Sequence, residues 1–364
     1  MRGIILGLRT YIIKRVFYSF ALILFVLILN FTIFEVMPGD PTTFFLPRNR
    51  PLTPDEREAI LAHWGLNKPF HERLFAYLIN MLRWELGESF IRRRPVAYEL
   101  LVYLPNTLQL LGLSTILAIV IGVILGAVAA HRRGGLFDTA SVTASLITYS
   151  LPTFWMGMVF IAIFSVKLGW FPVGKVIPDE WYLKGWPPPL LSLSFPGAQL
   201  TIPGTTFTIT IPSFQFTIPG WVEITTRLRY MFLPLSVLTL FQYGGFLLLT
   251  RAAVLETLTE DYITTARAKG LKERTVLYKH ALKNASLPII TNAALSLGFI
   301  VSGAIITETV FSWPGLGGWT WEAIQNKDFP ILHAMFYITA ICVIAANFIA
   351  DLIYGIIDPR IKYG

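Results

Sequence analysis

The sequence predicts an all-α polytopic membrane protein with six transmembrane helices. Of its 364 residues, 54% are hydrophobic and only 14% are charged, whereas a soluble domain carries about 25% charged residues. The mean hydropathy is +0.59. Six stretches contain the roughly 20 mostly apolar residues that a membrane-spanning helix needs. Lys and Arg are concentrated in the connections on one side of these stretches, which is typical of cytoplasmic loops.

The six spans are predicted at residues 11–37, 101–130, 139–168, 230–255, 287–310 and 331–357. The first apolar run is longer than the roughly 7–15 residues of a signal peptide, so we expect it to be retained as a membrane helix. Residues 1–37 then form a cytoplasmic N-terminus and the first helix, and residues 38–100 form an outer helical segment. Residues 101–357 form the core of helices two to six, and residues 358–364 form a cytoplasmic tail.

The basic residues of the short connections predict that both termini are cytoplasmic. They lie before the first span, between the second and third, between the fourth and fifth, and after the sixth: Arg2, Arg9, Lys14, Arg15, His131, Arg132, Arg133, Arg251, Arg267, Lys269, Lys272, Arg274, Lys279, Lys283, Arg360 and Lys362. Arg92, Arg93 and Arg94 fall on the opposite side. Their connection is long, and long loops cross the membrane largely regardless of charge.

Two outer segments have distinct patterns. Residues 51–90 predict two amphipathic helices, the first beginning at Thr53 as N-cap with Pro54 after it. Residues 173–226 form an insert that contains the Thr-Ile-Pro-Gly sequence twice, at residues 201–204 and 217–220. Residues 207–211 alternate and are rich in β-branched residues, which predicts short strands in a small outer β-rich insert. A disordered linker is the alternative for this segment.

The stretch 261–271, within the cytoplasmic connection at residues 256–286, is predicted to form a basic helix that ends at Gly270. Gly270 supplies the permissive backbone that often ends a helix. A charged segment of this kind between two spans cannot lie in lipid and must face water. An ordinary basic cytoplasmic loop is one interpretation of it.

Polar and small residues within the spans carry less specific signals. Asn292, Ser296, Phe299 and Gly303 recur at three- and four-residue spacing and are predicted to share one helix face. Such a face either lines a pathway or packs helices together. A second set, Gly122, Gly126 and Ala130, favours helix packing. Acidic groups lie close to the predicted span ends, where water is within reach: Glu35, Glu308 and Asp351.

The sequence excludes several chemistries. Residues 169–176 approach a phosphate-binding loop, but Val176 stands where Ser or Thr must bind Mg²⁺. The five histidines have no metal-ligand spacing, and Cys342 is the single cysteine. Neither paired carboxylates nor a Ser-His-Asp set is evident, and the basic residues lie in membrane loops instead of a nucleic-acid-binding patch. We therefore expect neither an enzyme nor a cofactor, metal or nucleic-acid site.

Several short motifs, in a fixed order, resemble the first permease subunit of the dipeptide/oligopeptide/nickel class of ABC importers. They are Met37-Pro38-Gly39-Asp40-Pro41, Gly87-Glu88-Ser89-Phe90, Leu104-Pro105-Asn106-Thr107-Leu108, Ser150-Leu151-Pro152-Thr153-Phe154-Trp155, Leu168-Gly169-Trp170-Phe171-Pro172, Phe311-Ser312-Trp313-Pro314-Gly315-Leu316-Gly317 and Asp358-Pro359-Arg360. The resemblance extends over nearly the whole chain, although the insert at residues 173–226 is longer than this class usually has.

The resemblance implies a membrane subunit that forms half of a heterodimeric translocation pathway in the cell membrane. Its implied partners are membrane lipid, a second permease subunit, two cytoplasmic ATPase subunits and an extracytoplasmic solute-binding protein. It also identifies the basic helix as the ATPase-docking segment, with Tyr262, Ala266, Arg267, Lys269, Gly270 and Leu271 as contact residues. The usual Glu-Ala-Ala, three residues, Gly pattern is altered, because Thr264 and Thr265 replace the Glu and the first Ala.

Di- and oligopeptides are the expected substrates, with oligosaccharides or nickel as alternatives within the same machinery. A secondary transporter or channel is the alternative from another class, and an intramembrane enzyme is a third. The second class usually shows internal repeats, broken helices or a mid-span charge, none of which the sequence indicates. The third would require a catalytic constellation.

Overall fold

The computed structural model describes residues 2–36, 53–63, 67–184, 191–195, 198–201, 208–211 and 214–357. Within these residues the chain is mostly helical. Outside the described residues lie the predicted motif at residues 37–41 and the tail at residues 358–364. The same holds for residues 185–190, 196–197, 202–207 and 212–213 of the insert. The chain divides into two compact units, Met1–Gly157 with Pro234–Gly364, and Met158–Leu233.

The helices have the following bounds in chain order. They are α1 (Arg2–Val36), α2 (Pro54–His63), α3 (Phe70–Leu82), α4 (Val96–His131), α5 (Leu136–Ser150), α6 (Thr153–Phe160), α7 (Asp179–Lys184), α8 (Trp221–Thr257), α9 (Asp261–Ala268), α10 (Glu273–Thr275), α11 (Leu282–Asn284), α12 (Ser286–Phe299), α13 (Ile305–Val310), α14 (Leu316–Asn326) and α15 (Phe329–Ile357). Two π-helical segments (Ile161–Lys167 and Val276–Ala281) and one 3-10 turn (Ile300–Ser302) continue α6, α10 and α12.

Four helices are long and apolar enough to cross a membrane: Ile13–Val36, Val96–His131, Trp221–Thr257 and Phe329–Asp351. Two bent pairs raise the number to six if each pair is one span. They are Leu136–Ser150 with Thr153–Lys167, and Glu273–Asn284 with Ser286–Ser302. The apolar segments therefore correspond to the predicted ones, but the third and fifth are broken helices that the sequence analysis did not anticipate.

The break in the first pair has a local cause. Pro152 separates α5 from α6, and the residue before it, Leu151, is extended with φ −76° and ψ 133°, as the ring of a following proline requires. The second pair bends at Ala285, between α11 and α12, where the helix axes differ by 59°. Farther along the chain, Gly303 adopts φ +73°, which is costly for a residue with a side chain. The helix that begins at Ser286 therefore ends before Gly303, and α13 is a separate short helix.

The predicted pair of amphipathic helices corresponds to α2 and α3. The Thr53 hydroxyl accepts the Glu56 N–H at 3.3 Å, and the Glu56 carboxylate accepts the Thr53 N–H at 2.9 Å. This reciprocal capping box starts α2 where the sequence predicts. Helix α3 packs on α1, where Asn30 donates to the buried Tyr77 hydroxyl at 2.9 Å. Burial is the main cause that raises the pKa of Tyr77 above its usual value, and the Asn30 contact opposes it.

Small residues bring α4 and α8 into close contact, which confirms the packing role predicted for the small-residue stripe. A Cβ on Gly122 would lie 2.7 Å from the Tyr243 carbonyl oxygen, and one on Gly126 would lie 2.6 Å from the Leu247 carbonyl oxygen. Ala130 is also buried. The two helix backbones therefore touch along this stripe.

The unit Met158–Leu233 contains the described strands β1 (Leu191–Phe195), β2 (Ala198–Thr201), β3 (Thr208–Ile211) and β4 (Phe214–Ile218). Strand β1 pairs with β4 and β2 pairs with β3, both antiparallel, which gives two nested two-stranded ribbons. Strand β3 lies where the sequence predicts a strand. At the other end of the unit, Phe171 and Phe232 stack with ring centroids 4.3 Å apart.

Candidate functional site

Helix α9 lies within the predicted docking stretch: it begins at Asp261, as predicted, and ends at Ala268, two residues before Gly270. Glu260 precedes it in an extended conformation with φ −73° and ψ 147°. Gly270 follows with φ +74°, and its N–H donates to the Arg267 carbonyl at 2.9 Å. The Leu271 N–H then donates to the Ala266 carbonyl at 3.4 Å. The left-handed glycine thus reverses the chain at the end of α9.

One face of α9 packs on its own chain. Ile263 and Ala266 are 0% and 5% exposed and join an apolar cluster with Ala130 of α4 and Val254 of α8. Further members of the cluster are Val276, Leu277, Ala281 and Ala285. Ala266 therefore points into this cluster and away from solvent. Its small size allows close packing against its own chain, which differs from the predicted outward role.

The opposite face of α9 is exposed. Tyr262 and Leu271 are 40% and 39% exposed, and Lys269 and Gly270 are exposed as well. Tyr262 lies in the first turn of α9, whereas Lys269, Gly270 and Leu271 follow its last residue. Five of the six predicted contact residues, including Arg267, are therefore accessible. Together they provide an aromatic ring, an apolar side chain and two basic groups along α9 and the turn that follows it.

Arg267 forms an ion pair across the turn at residues 269–272, between α9 and α10. Its Nε lies 2.9 Å and its Nη2 lies 3.3 Å from the two carboxylate oxygens of Glu273. Both side chains are about half exposed, and a pair so open to water contributes little to stability. Its geometric effect is to hold the start of α10 against the end of α9.

The segment after α10 is π-helical over Val276–Ala281, which the sequence analysis did not anticipate. Val276, Leu277 and Ala281 face the apolar cluster under α9, while Tyr278 and Lys279 are exposed. Single π-helical turns are rare in proteins, and those that occur are often found at functional sites. Here the π-helical segment lies between α10 and α11, on the path from α9 to α12.

The structure brings three of the four predicted pathway residues onto one helix. Asn292, Ser296 and Phe299 lie on α12, where the first two are half-buried and Phe299 is 52% exposed. Gly303 does not continue this face, because the chain leaves the α conformation at Ile300. A Cβ on Gly303 would lie 2.6 Å from the Cα of Gly317. Gly303 therefore marks a close approach of two backbone segments.

Glu308 is fully buried, which corrects the expectation that water reaches it. Its Oε1 accepts the Thr107 hydroxyl at 3.2 Å and the Ala304 N–H at 3.2 Å, and its Oε2 accepts the Gly318 N–H at 2.9 Å. The Thr107 oxygen in turn accepts the Leu316 N–H at 2.7 Å. The turn before α14 thus folds over the carboxyl group and excludes water from it.

Glycines make this arrangement possible. A Cβ on Gly315 or Gly317 would lie 2.6 or 2.9 Å from Glu308 Oε2. The sequence signal was the glycine-rich run Trp313-Pro314-Gly315-Leu316-Gly317-Gly318 a few residues after an acidic residue. The other two span-end acids are paired: Glu35 with Arg73, and Asp351 with Arg15.

Comparison with known proteins agrees with this architecture. A family profile described as a binding-protein-dependent transport system inner membrane component matches residues 122–363. An oligopeptide transport system permease protein, AppB of Bacillus subtilis, is 34% identical over 98% of this chain and 100% of its own length. A di/tripeptide transport system permease protein, DppB of Pseudomonas aeruginosa, is 35% identical over 93% of this chain and 94% of its own.

The dipeptide transport system permease protein DppB of Escherichia coli is 34% identical over 92% of this chain and 94% of its own length. The similarity therefore extends beyond the profile to nearly the full chain, including α1 and α4. Together with the apolar helices, these matches show that the chain belongs to the family of inner-membrane components of binding-protein-dependent transport systems.

Proposed function

We propose that this chain is one permease subunit of an ATP-driven importer for di- and oligopeptides. The full-length similarity to three permease proteins named for peptide transport supports peptides over oligosaccharides or nickel. The subunit forms half of a translocation pathway together with a second permease subunit. ATP binding and hydrolysis take place on two separate cytoplasmic ATPase subunits, and a solute-binding protein delivers the peptide from outside.

The proposed topology has six spans with both termini in the cytoplasm. It counts each bent pair as one span and follows the Lys and Arg residues of the short connections. The docking helix α9 and the turn between α4 and α5 then face the cytoplasm. Helices α2 and α3, together with the β ribbons, face outside.

The observation that carries the docking role is the outward face of α9. Tyr262, Lys269 and Leu271 are exposed around a left-handed Gly270, while Ile263 and Ala266 fix the helix to the transmembrane core. A surface with this construction transmits force, because a load on the exposed face acts on a helix that is packed against α4 and α8. The mechanism is alternating access, in which closure of the ATPases moves α9 and opens the helix bundle outward.

Asn292, Ser296 and Phe299 are the proposed pathway residues. Their shared position on α12 supports the assignment, since α12 follows the docking loop directly and receives its movement. Weak polar contacts of this kind are sufficient for a pathway in which the binding protein supplies the affinity.

The β ribbons of the insert are proposed to help receive the binding protein. Replacing residues 192–218 with a short Gly/Ser linker tests this role. Loss of binding-protein association and uptake supports it. Normal association and uptake with reduced thermal stability would assign the ribbons to a stabilising cap instead.

Reconstitution into proteoliposomes tests the function as a whole. Uptake of labelled dipeptides and tripeptides is expected to require the binding protein, ATP and intact ATPases. Uptake of labelled maltotriose and of ⁶³Ni²⁺ is measured in the same way, to test the two alternative substrate classes. Peptide uptake that persists after the ATPases are removed would contradict the proposal and favour a secondary transporter.

Exposed residues are the appropriate targets for testing the docking surface. Leu271→Asp and Lys269→Glu are expected to weaken ATPase association while the chain stays in the membrane. Ala266→Asp is unsuitable, because it would bury a carboxylate in the cluster below α9 and disrupt the fold. Wild-type association of both exposed variants would refute the assignment.

A further inference from the structure

A partly buried ion pair joins α8 to the first turn of α5. The Arg251 guanidinium approaches the Asp138 carboxylate with Nε–Oδ1 at 2.6 Å and Nη2–Oδ2 at 2.8 Å. The Asp138 side chain is 5% exposed and that of Arg251 is 28% exposed. Oδ2 also accepts the Gly134 N–H at 2.9 Å. This two-pronged contact fixes both distance and orientation, which a single-point contact does not.

Arg251 belongs to the part of α8 that leads directly into the docking helix. Hydrogen-bonded turns continue from α8 to α9: Leu258 N–H donates to Val254 O at 2.9 Å, Glu260 N–H to Thr257 O at 3.2 Å, and Ile263 N–H to Glu260 O at 3.0 Å. The turn residues up to Glu260 are thus hydrogen-bonded to the end of α8, and the chain is extended at Glu260 before α9 begins. Val254 of α8 and Ile263 of α9 pack in the same apolar cluster, so a displacement of α9 acts on the end of α8 that carries Arg251.

The same region is attached to the end of α4. Ala130 at the last turn of α4 lies in the apolar cluster with Val254 and Ile263. Gly126, one turn earlier, packs against the α8 backbone at Leu247. The apolar cluster connects α9 to α4. The ion pair connects α8 to the start of α5, just after the turn at residues 132–135 that joins α4 to α5.

Stability alone does not explain this partly buried pair, because the cost of removing the Asp138 carboxylate from water offsets part of the attraction between the two charges. Its clearest property is directional: the guanidinium fork matches a carboxylate in one arrangement. The pair joins the part of α8 that precedes α9 to the start of α5, and it therefore holds these two elements at one distance and orientation.

We infer that Asp138 and Arg251 are positioning residues for the coupling of ATP hydrolysis to transport. Their ion pair makes α9, the end of α8 and the α4–α5 turn one body, so that a push on the docking helix reaches α4 and α5 as well as α12. This inference rests on the proposed docking function of α9.

The test uses the assembled complex of both permease subunits and the ATPases in proteoliposomes, with and without its binding protein. Two quantities are measured for each variant: ATPase association, and the factor by which binding protein and trialanine stimulate ATP hydrolysis. Asp138→Asn is expected to keep association and to lower the stimulation factor by about threefold to thirtyfold, the range of energetic coupling carried by such networks. Arg251→Lys keeps the charge but loses the fork, so a smaller decrease is expected.

The charge-swapped double variant Asp138→Arg with Arg251→Asp is expected to recover part of the stimulation. Glu322→Gln is the matched control, because it removes an ion pair with Arg92 that is 2.5 Å long and distant in sequence from the docking segment. It is expected to leave the stimulation factor unchanged.

Unchanged stimulation in Asp138→Asn would overturn the inference, and so would a double variant that assembles normally without recovery. If Asp138→Asn does not accumulate in the membrane, Arg251→Lys decides, and an unchanged factor there counts against the inference. Failure of the docking proposal gives a different result: the ATPases then associate equally well with the wild type and with Leu271→Asp.

Discussion

Gly270→Ala changes the docking surface by a single methyl group. Gly270 has φ +74°, and no atom lies within 4 Å of the position that a Cβ would occupy. The substitution therefore introduces no steric clash, and its effect is limited to backbone strain. An L-residue in the left-handed region costs about 1–2 kcal/mol. The free loop relieves this strain by leaving the left-handed conformation, which moves Leu271 away from the end of α9.

Docking then requires the strained conformation to be restored, so the same free energy is lost from association. A loss of about 1–2 kcal/mol weakens ATPase binding by roughly five- to thirtyfold. The assay is titration of the ATPase against the variant permease complex in nanodiscs at constant salt. Gly169→Ala is the matched control, because Gly169 has φ +66° and equally open surroundings but lies outside the docking segment. Equal ATPase affinity of the wild type and Gly270→Ala would refute the reasoning.

Three further predictions concern the fold and its orientation. Glu308→Ala leaves three hydrogen-bond donors without their acceptor, and each such loss costs about 1–3 kcal/mol, so the thermal unfolding temperature is expected to fall sharply. Glu308→Gln keeps a carbonyl acceptor, so its unfolding temperature is expected to fall less. Equal decreases in the two variants would argue against this network. Gly303→Ala is expected to reduce membrane accumulation because its Cβ meets the backbone of Gly317, whereas Gly245→Ala, with open space around it, is expected to be tolerated; the opposite order contradicts the packing argument. In a Cys342→Ala background, Thr208→Cys is expected to react with an impermeant maleimide added outside, and labelling only from inside would overturn the proposed topology.

The docking segment shows what local sequence signals can predict. Helix α9 lies within the predicted stretch and ends two residues before Gly270, because its end depends on one glycine and on hydrogen bonds between near neighbours. The orientation of Ala266 was not predictable in the same way. Whether a small residue faces a partner or its own chain depends on α4 and α8, which are remote in sequence.

The ends of the spans show the same division. The composition identifies every apolar segment, but the fifth span ends at Gly303, and Glu308 lies beyond it in a buried hydrogen-bond network. Hydropathy averages over a window and does not detect a single left-handed residue. The contact that requires this break is with Gly317, across a loop that the pattern does not constrain.

By itself, the sequence determined a polytopic helical membrane protein, the approximate positions of its apolar segments and the location of the helix that we propose as the docking helix. These properties follow from composition, from helical spacing and from turn residues, each of which acts over a few neighbouring positions. Only the tertiary structure decided which polar groups meet: Thr107 with Glu308 across 201 residues, and Asp138 with Arg251 across 113 residues. Buried polar groups must find partners wherever the fold brings them together, and that choice is made by helix packing, not by spacing along the chain.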